Sequence, residues 1–196
     1  MKGIGTIGIV ILIVLGILGM GGCAYNGMVK KQEAVESAWS QVENVYQRRA
    51  DLIPNLVNTV KGAANFEKET LEAVIQARAS ATQVKVDPTN LDPASLQKFE
   101  QAQTGLSSAL SRLLVSVERY PELKANQNFR DLQVQLEGTE NRITEERRKF
   151  NLVVQAYNSS IRSFPNNLMA GMFGFEKKAY FEAITEGAEK APEVSF

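Results

Sequence analysis

The sequence predicts an all-α protein: an N-terminal transmembrane helix followed by a long antiparallel four-helix bundle. Three observations carry this reading. Residues 3–24 contain no charged side chain, and that length suits a helix crossing a bilayer core of about 30 Å. From Met28 onward, apolar or bulky residues recur at alternating steps of three and four, the spacing of helices that bury one stripe. Nowhere does the sequence alternate apolar and polar residues with the period of a strand.

Within the apolar N-terminal stretch, Ile7 to Leu18 is almost purely aliphatic. Met20-Gly21-Gly22-Cys23 offers a second reading, a lipoprotein-type signal in which Cys23 is lipidated after cleavage. The apolar run exceeds the ~7–15 residues of a signal h-region, which favours a retained single-pass anchor. Lys2 on one side and Lys30 and Lys31 on the other leave the charge bias nearly even. The lipobox-like cysteine requires an extracytoplasmic bundle, so that side is expected. Residues 1–24 are therefore assigned to the anchor or signal, 25–163 to the bundle, and 164–196 to an apolar segment with a polar tail.

In the first bundle helix the seam runs Met28, Val35, Trp39, Val42, Tyr46, Arg49, Ile53, Leu56, Val60, with Pro54 inside it. The unbroken phase predicts a kink at Pro54 without a break. A second helix is expected from Phe66 to Val84. Asp87 to Pro93 is a loop ending in an Asp92 N-cap with Pro93 at the first helical position. The third helix carries Leu96, Phe99, Gln103, Leu106, Leu110, Leu113 and Val117, and Tyr120-Pro121 closes it. The fourth runs from Asn128 to Arg162. Alternating directions and matched lengths of about 50 Å for the first and fourth helices return the chain to the end where it entered.

Composition excludes several functions. Basic and acidic residues balance at 22 each, so no global field draws nucleic acid. Histidine is absent, removing the commonest general base and metal ligand. Cys23 is the only cysteine, so no intrachain disulfide forms. Glu137, Glu140 and Asn141 share a helical face, but di-iron bundles use Glu-x-x-His, and no calcium loop or phosphate loop is visible. No catalytic residue, metal or cofactor is assigned, and the chain is read as non-enzymatic.

Two groups of residues remain. If the first and fourth helices are antiparallel, Arg48, Arg49, Asp51 and Asn55 come level with Glu137, Glu140, Asn141 and Arg142. They are read as a structural polar layer fixing helix register, because a charge on a seam must find a partner, with a partner or ligand site as the alternative. The segment Phe164 to Phe175 is apolar, interrupted by glycine and not helical in period. Its Leu168, Met169, Met172, Phe173 and Phe175 form either a lid on the bundle end or a membrane or partner patch. Glu176 to Phe196 is expected to be a polar tail, poorly ordered past Gly187.

Several motifs carry a family resemblance: Tyr25-Asn26, Arg48 to Val57, Glu69 to Val74, Tyr120 to Asn126, Leu136 to Ile143, and Ser163-Phe164-Pro165. In this order they resemble the LemA family of bacterial membrane proteins across almost the whole bundle. Departures are small: Ala63 stands where an aromatic is common, and Phe150 where tyrosine is. The resemblance implies an N-terminal membrane segment, a bundle of long helices and no established enzymatic activity. One relative takes part in forming magnetosome membranes, which hints at membrane organisation. The expected role is a scaffold or adaptor at the bacterial cell membrane that organises envelope proteins and self-associates. The alternative is a membrane-shaping, lipid-interacting oligomer.

Overall fold

The computed structural model describes residues 2–62 and 66–182. Every regular element among them is a helix: α1 (Lys2–Lys61), α2 (Lys68–Gln83), α3 (Pro93–Val117), α4 (Pro121–Ala125), α5 (Gln127–Arg162) and α6 (Asn166–Phe173). The protein is all-α over these residues.

α1 is a single helix of 60 residues that continues through Pro54. A proline inside a helix withholds the N–H that the carbonyl four residues earlier expects. Here that carbonyl belongs to Ala50, and Arg78 of α2 donates its Nε–H to it at 2.7 Å. A neighbouring helix thus replaces the bond that Pro54 removes, which is how α1 keeps one seam on both sides of the proline. α3 starts as its sequence dictates: Asp92 accepts a bond from the Ser95 amide at 3.0 Å, with Pro93 behind it in the first turn. Asn126 caps α5 in the same way, accepting from Phe129 N at 3.2 Å. Between them lies the short α4, an element the periodicity did not reveal; its Leu123 is buried and closes the far end of the core.

α1 and α5 are antiparallel. Trp39 meets Phe150 and, ten positions later on α1, Arg49 meets Glu140, ten positions earlier on α5. α2 and α3 form a second antiparallel pair, with Gln103 bonding to Ala81 and Ser116 to Glu67. The core falls into two clusters. One gathers Ile53, Leu56, Val57 and Val60 of α1 with buried residues of α2, α3, α4 and α5. The other joins Met28, Val35, Trp39, Val42 and Tyr46 to Phe99, Phe150, Val154 and Tyr157. α2 contributes nothing to this second cluster, where Val86 and Leu91 of the α2–α3 connection, Ala170 of α6 and Phe181 take its place. Matched lengths were expected for the first and fourth helices alone, with a shorter second helix from Phe66 to Val84. α2 has 16 residues and α3 has 25, so the second pair is too short to line all of α1 and α5.

No helix among the described residues is long and apolar enough to cross a membrane. The stretch expected to do so lies within α1, where side chains before residue 21 are described only at Gly8, Ile11, Leu12 and Leu15. That expectation therefore falls largely outside the described side chains. The expected disorder past Gly187 lies outside the described residues altogether.

Candidate functional site

Three arrangements stand out: a polar layer inside the core, an extended strap along α5, and an apolar face on α6.

The polar layer separates the two core clusters. Arg49 is 2 % exposed. Its Nη1 donates to Glu140 at 3.0 Å and to Ser107 at 2.9 Å, and its Nη2 donates to Gln103 Oε1 at 2.6 Å. The guanidinium also lies 5.1 Å from the Tyr46 ring. Gln103 passes its own amide hydrogen to the Ala81 carbonyl, which ties α2 into the layer. Burial raises the pKa of the Tyr46 hydroxyl, with Arg147 and Arg49 pulling it back. The layer is narrower than the sequence implied. Arg48, Asp51, Asn55, Glu137, Asn141 and Arg142 are all exposed. Asp51 accepts from Gln47, and Glu137 from Gln133, within their own helices. The seam positions of the two motifs are Arg49 and Ile53 on α1 and Leu136, Thr139 and Ile143 on α5, and the other polar residues lie on the flanks of these faces. The contribution of α3 through Gln103 and Ser107 was not anticipated.

The strap runs from Gly174 to Glu182 and replaces the first part of the expected polar tail. Gly174 has φ 71°, a left-handed conformation that ends α6 and turns the chain back along α5. An extended segment has no bonds of its own, so its N–H and C=O groups must find partners elsewhere. Two asparagines supply them, each using its side-chain amide as a peptide would. Asn158 accepts from Lys178 N at 2.9 Å and donates to Lys178 O at 2.8 Å. Asn151 does the same for Phe181, with both bonds at 2.9 Å. The spacing follows from geometry: seven helical residues rise about 10.5 Å, and three extended residues span about 10 Å.

Between and beyond these rungs, Tyr157 Oη bonds the Glu176 carbonyl at 3.0 Å and Ala179 N bonds the Leu91 carbonyl at 3.0 Å. Arg147 bonds the Glu182 carbonyl at 3.0 Å and Glu100 at 2.5 Å. The Phe181 ring stacks on Trp39 at 5.8 Å and lies 4.5 Å from the Arg147 guanidinium. Burial lowers the pKa of Lys178, whose ammonium reaches the Thr89 carbonyl, and burial raises that of Glu100 against the pull of Arg147. Sequence reasoning missed this site. Its signal was two asparagines seven residues apart beside the seam of a long helix, where asparagine has poor propensity.

Residues 166–173 form a helix rather than the irregular segment expected from their composition. The helix divides the apolar side chains by face. Ala170 is buried, and Met169 and Phe175 pack against the core. Phe164, Leu168, Met172 and Phe173 are exposed by 81, 60, 76 and 53 %. Met169 lies against Gly21 of α1, and Phe173 meets Tyr25 with ring centroids 4.9 Å apart. Cys23, on the same stretch of α1, is exposed.

A shallow cleft of about 260 Å³ beside Arg49 is lined by Ser107, Ser111, Gln133, Glu137 and Glu140. The Nη1 and Nη2 donors of Arg49 are already committed to protein acceptors, and its Nε is buried without one. Among the described residues no group of three or more His, Cys, Asp or Glu is placed to hold a metal ion.

Comparison with known proteins gives this helical assembly its relatives. The sequence profile of the LemA family matches residues 38–196. Protein LemA of Metamycoplasma hominis is 26 % identical over 158 residues, covering 81 % of this chain and 68 % of that protein. Magnetosome protein MamQ 2 of Paramagnetospirillum magneticum is 26 % identical over 180 residues, covering 83 % of this chain and 66 % of that one. Magnetosome protein MamQ of Magnetospirillum gryphiswaldense matches over the same length at the same identity. The chain spans about two thirds of the length of these relatives. None of their names describes an enzyme. With the family profile matched from Trp39's helix through the strap and beyond, the chain belongs to the LemA family.

Proposed function

We propose that this protein is a non-enzymatic scaffold of the bacterial envelope: residues 3–24 anchor it in the membrane, and the helical body presents binding surfaces at a fixed height. The observation that carries the reading is the continuity of α1. The apolar stretch and the core-forming stretch belong to one helix, and Met28, the first buried residue among the described side chains, comes four positions after Ala24. No flexible linker separates anchor from body, so the body stands as a post rather than swinging on a tether. From Met28 to Lys61 the helix rises about 50 Å. A protein whose described interior is filled by side chains, and whose relatives carry no enzyme name, suits a role in positioning partners. The second reading, a lipid-acting oligomer, is favoured by the exposed apolar face of α6.

The test compares the full chain with one lacking residues 1–24, each carrying a photocrosslinker at Leu152 or Val134, both exposed. A scaffold gives discrete crosslinked envelope proteins that depend on the anchor. A full chain that crosslinks only to lipid or to itself contradicts the scaffold and supports the second reading.

A further inference from the structure

We infer that α6 lies in the bilayer interface, its outer face of Phe164, Leu168, Met172 and Phe173 inserted among lipid headgroups and upper acyl chains. This rests on the anchoring of residues 3–24. The distribution of exposed apolar side chains points to it. Elsewhere among the described residues of the body they occur singly or in a pair, as Ile75 on α2, Val115 on α3, Val134 on α5, and Leu152 of α5 beside Tyr180 of the strap. Single exposed apolar residues are ordinary on any protein surface. Three on one eight-residue helix, with Phe164 just ahead of it, are not.

The occupant is fixed by what the face adjoins. α6 packs on α1 at Gly21 and Tyr25, the last turn of the uncharged stretch. If that stretch spans the hydrocarbon core, its end at residue 24 sits at the headgroup boundary, and α6 is held beside it at the same depth. The inner side of α6 is already committed to the protein through Ala170 and Met169, and Phe175 just past its end packs on the same core. Leu168 and Met172 are left on the outer side, with Phe173 half exposed beside Tyr25, and the position where this side emerges is where an apolar surface finds lipid. The flanking groups suit an interface: Tyr25 presents an amphipathic ring there, and Lys30, Lys31, Arg162 and Lys177 stand exposed nearby, with Glu33 and Glu176 the neighbouring carboxylates. The result is a monotopic foot on a single-pass anchor, which stops the post from tilting.

Depth-dependent quenching tests this with the full chain reconstituted in phosphatidylcholine–phosphatidylglycerol vesicles. Cys23→Ser removes the native thiol, and Met172→Cys or Leu168→Cys carries an environment-sensitive fluorophore, with Val134→Cys as the distant control. Lipids brominated near the headgroup should quench the labels at 168 and 172 several-fold more than the label at 134. If 168 and 172 read as water-exposed while the chain stays with the vesicles after an alkaline wash, the foot is overturned and the anchor stands. If the chain washes off, both are overturned. If those labels are shielded yet unquenched by bromolipid, and cysteines at 172 crosslink between copies, the face is a contact between copies and the inference fails.

Discussion

Arg78 and Pro54 stand on different helices and act as one unit. Pro54 leaves the Ala50 carbonyl without its helical donor, and Arg78 supplies one at 2.7 Å. Arg78→Ala should cost about 1–2 kcal/mol, the worth of a hydrogen bond from a charged donor to a partly buried carbonyl. In a Pro54→Ala background the restored amide takes over, and the same change should cost less than half as much. Urea melts of the four proteins close the cycle, and equal costs in both backgrounds contradict the compensation.

The Arg49 layer makes a different demand. Removing Glu140 leaves a buried guanidinium with neutral acceptors only, whereas Arg49→Met removes the charge and keeps the volume. Glu140→Ala should therefore destabilise by about 2 kcal/mol and Arg49→Met by less, although Glu140 itself is half exposed and partly screened.

Surface carboxylates set the acid response. The Thr70 hydroxyl, ahead of Ser116 and Arg119, holds the Glu67 carboxyl below its ordinary 4.5. Ser95 and Thr89 hold Asp92 and Asp87 below 3.8. For each, the folded form binds its proton less readily than the unfolded chain. The stabilisation is complete at neutral pH and disappears as pH falls below these values. Glu67→Gln should lower the melting temperature at pH 7, and the gap from the parent should close as the pH drops below 4.5.

At the scale of elements, the strap is a clasp whose strength lies in two side chains of α5. Removing either amide leaves one peptide group of the strap without both its partners, at about 1–2 kcal/mol. Asn151→Ala with Asn158→Ala should speed hydrogen exchange at the Lys178 and Phe181 amides by at least tenfold, while the α1–α5 pair keeps its protection. Trp39 emission should shift to the red as Phe181 leaves its face. Unchanged exchange at those two amides contradicts the clasp.

Why the strap escaped the sequence, when the pairing of α1 with α5 did not, is a matter of period. A heptad seam repeats, so two seams of similar length set each other's register, and Trp39 falls beside Phe150 as the spacing requires. An extended segment held by another element's side chains has no repeat of its own. α6 was hidden for a related reason: eight residues rich in apolar side chains and broken by Gly171 give no polar face by which to recognise a helix. The polar layer was legible at Arg49, the charged residue on the first helix's seam. It was overdrawn at Arg48, Asp51 and Asn55, which flank that seam on a helix whose neighbours point elsewhere.

At the scale of the molecule, one helix joins the apolar stretch to the far tip, a strap and a short helix brace the near end, and two polar sites fix the register between. The body should therefore be stiff. With residues 3–24 anchored as proposed, that stiffness would hold surfaces on α5 and at the α4 tip at set distances from the bilayer. Energy transfer from labels on the reconstituted full chain to acceptors in the lipid measures those distances directly. Exposed sites at Leu152 and at Gln127 lie 25 residues apart on α5. At 1.5 Å per residue their heights should differ by about 37 Å, with narrow distributions at both positions. Equal mean heights, or a broad spread at Gln127, would mean that the body swings or lies flat, and the account of a fixed post would be wrong.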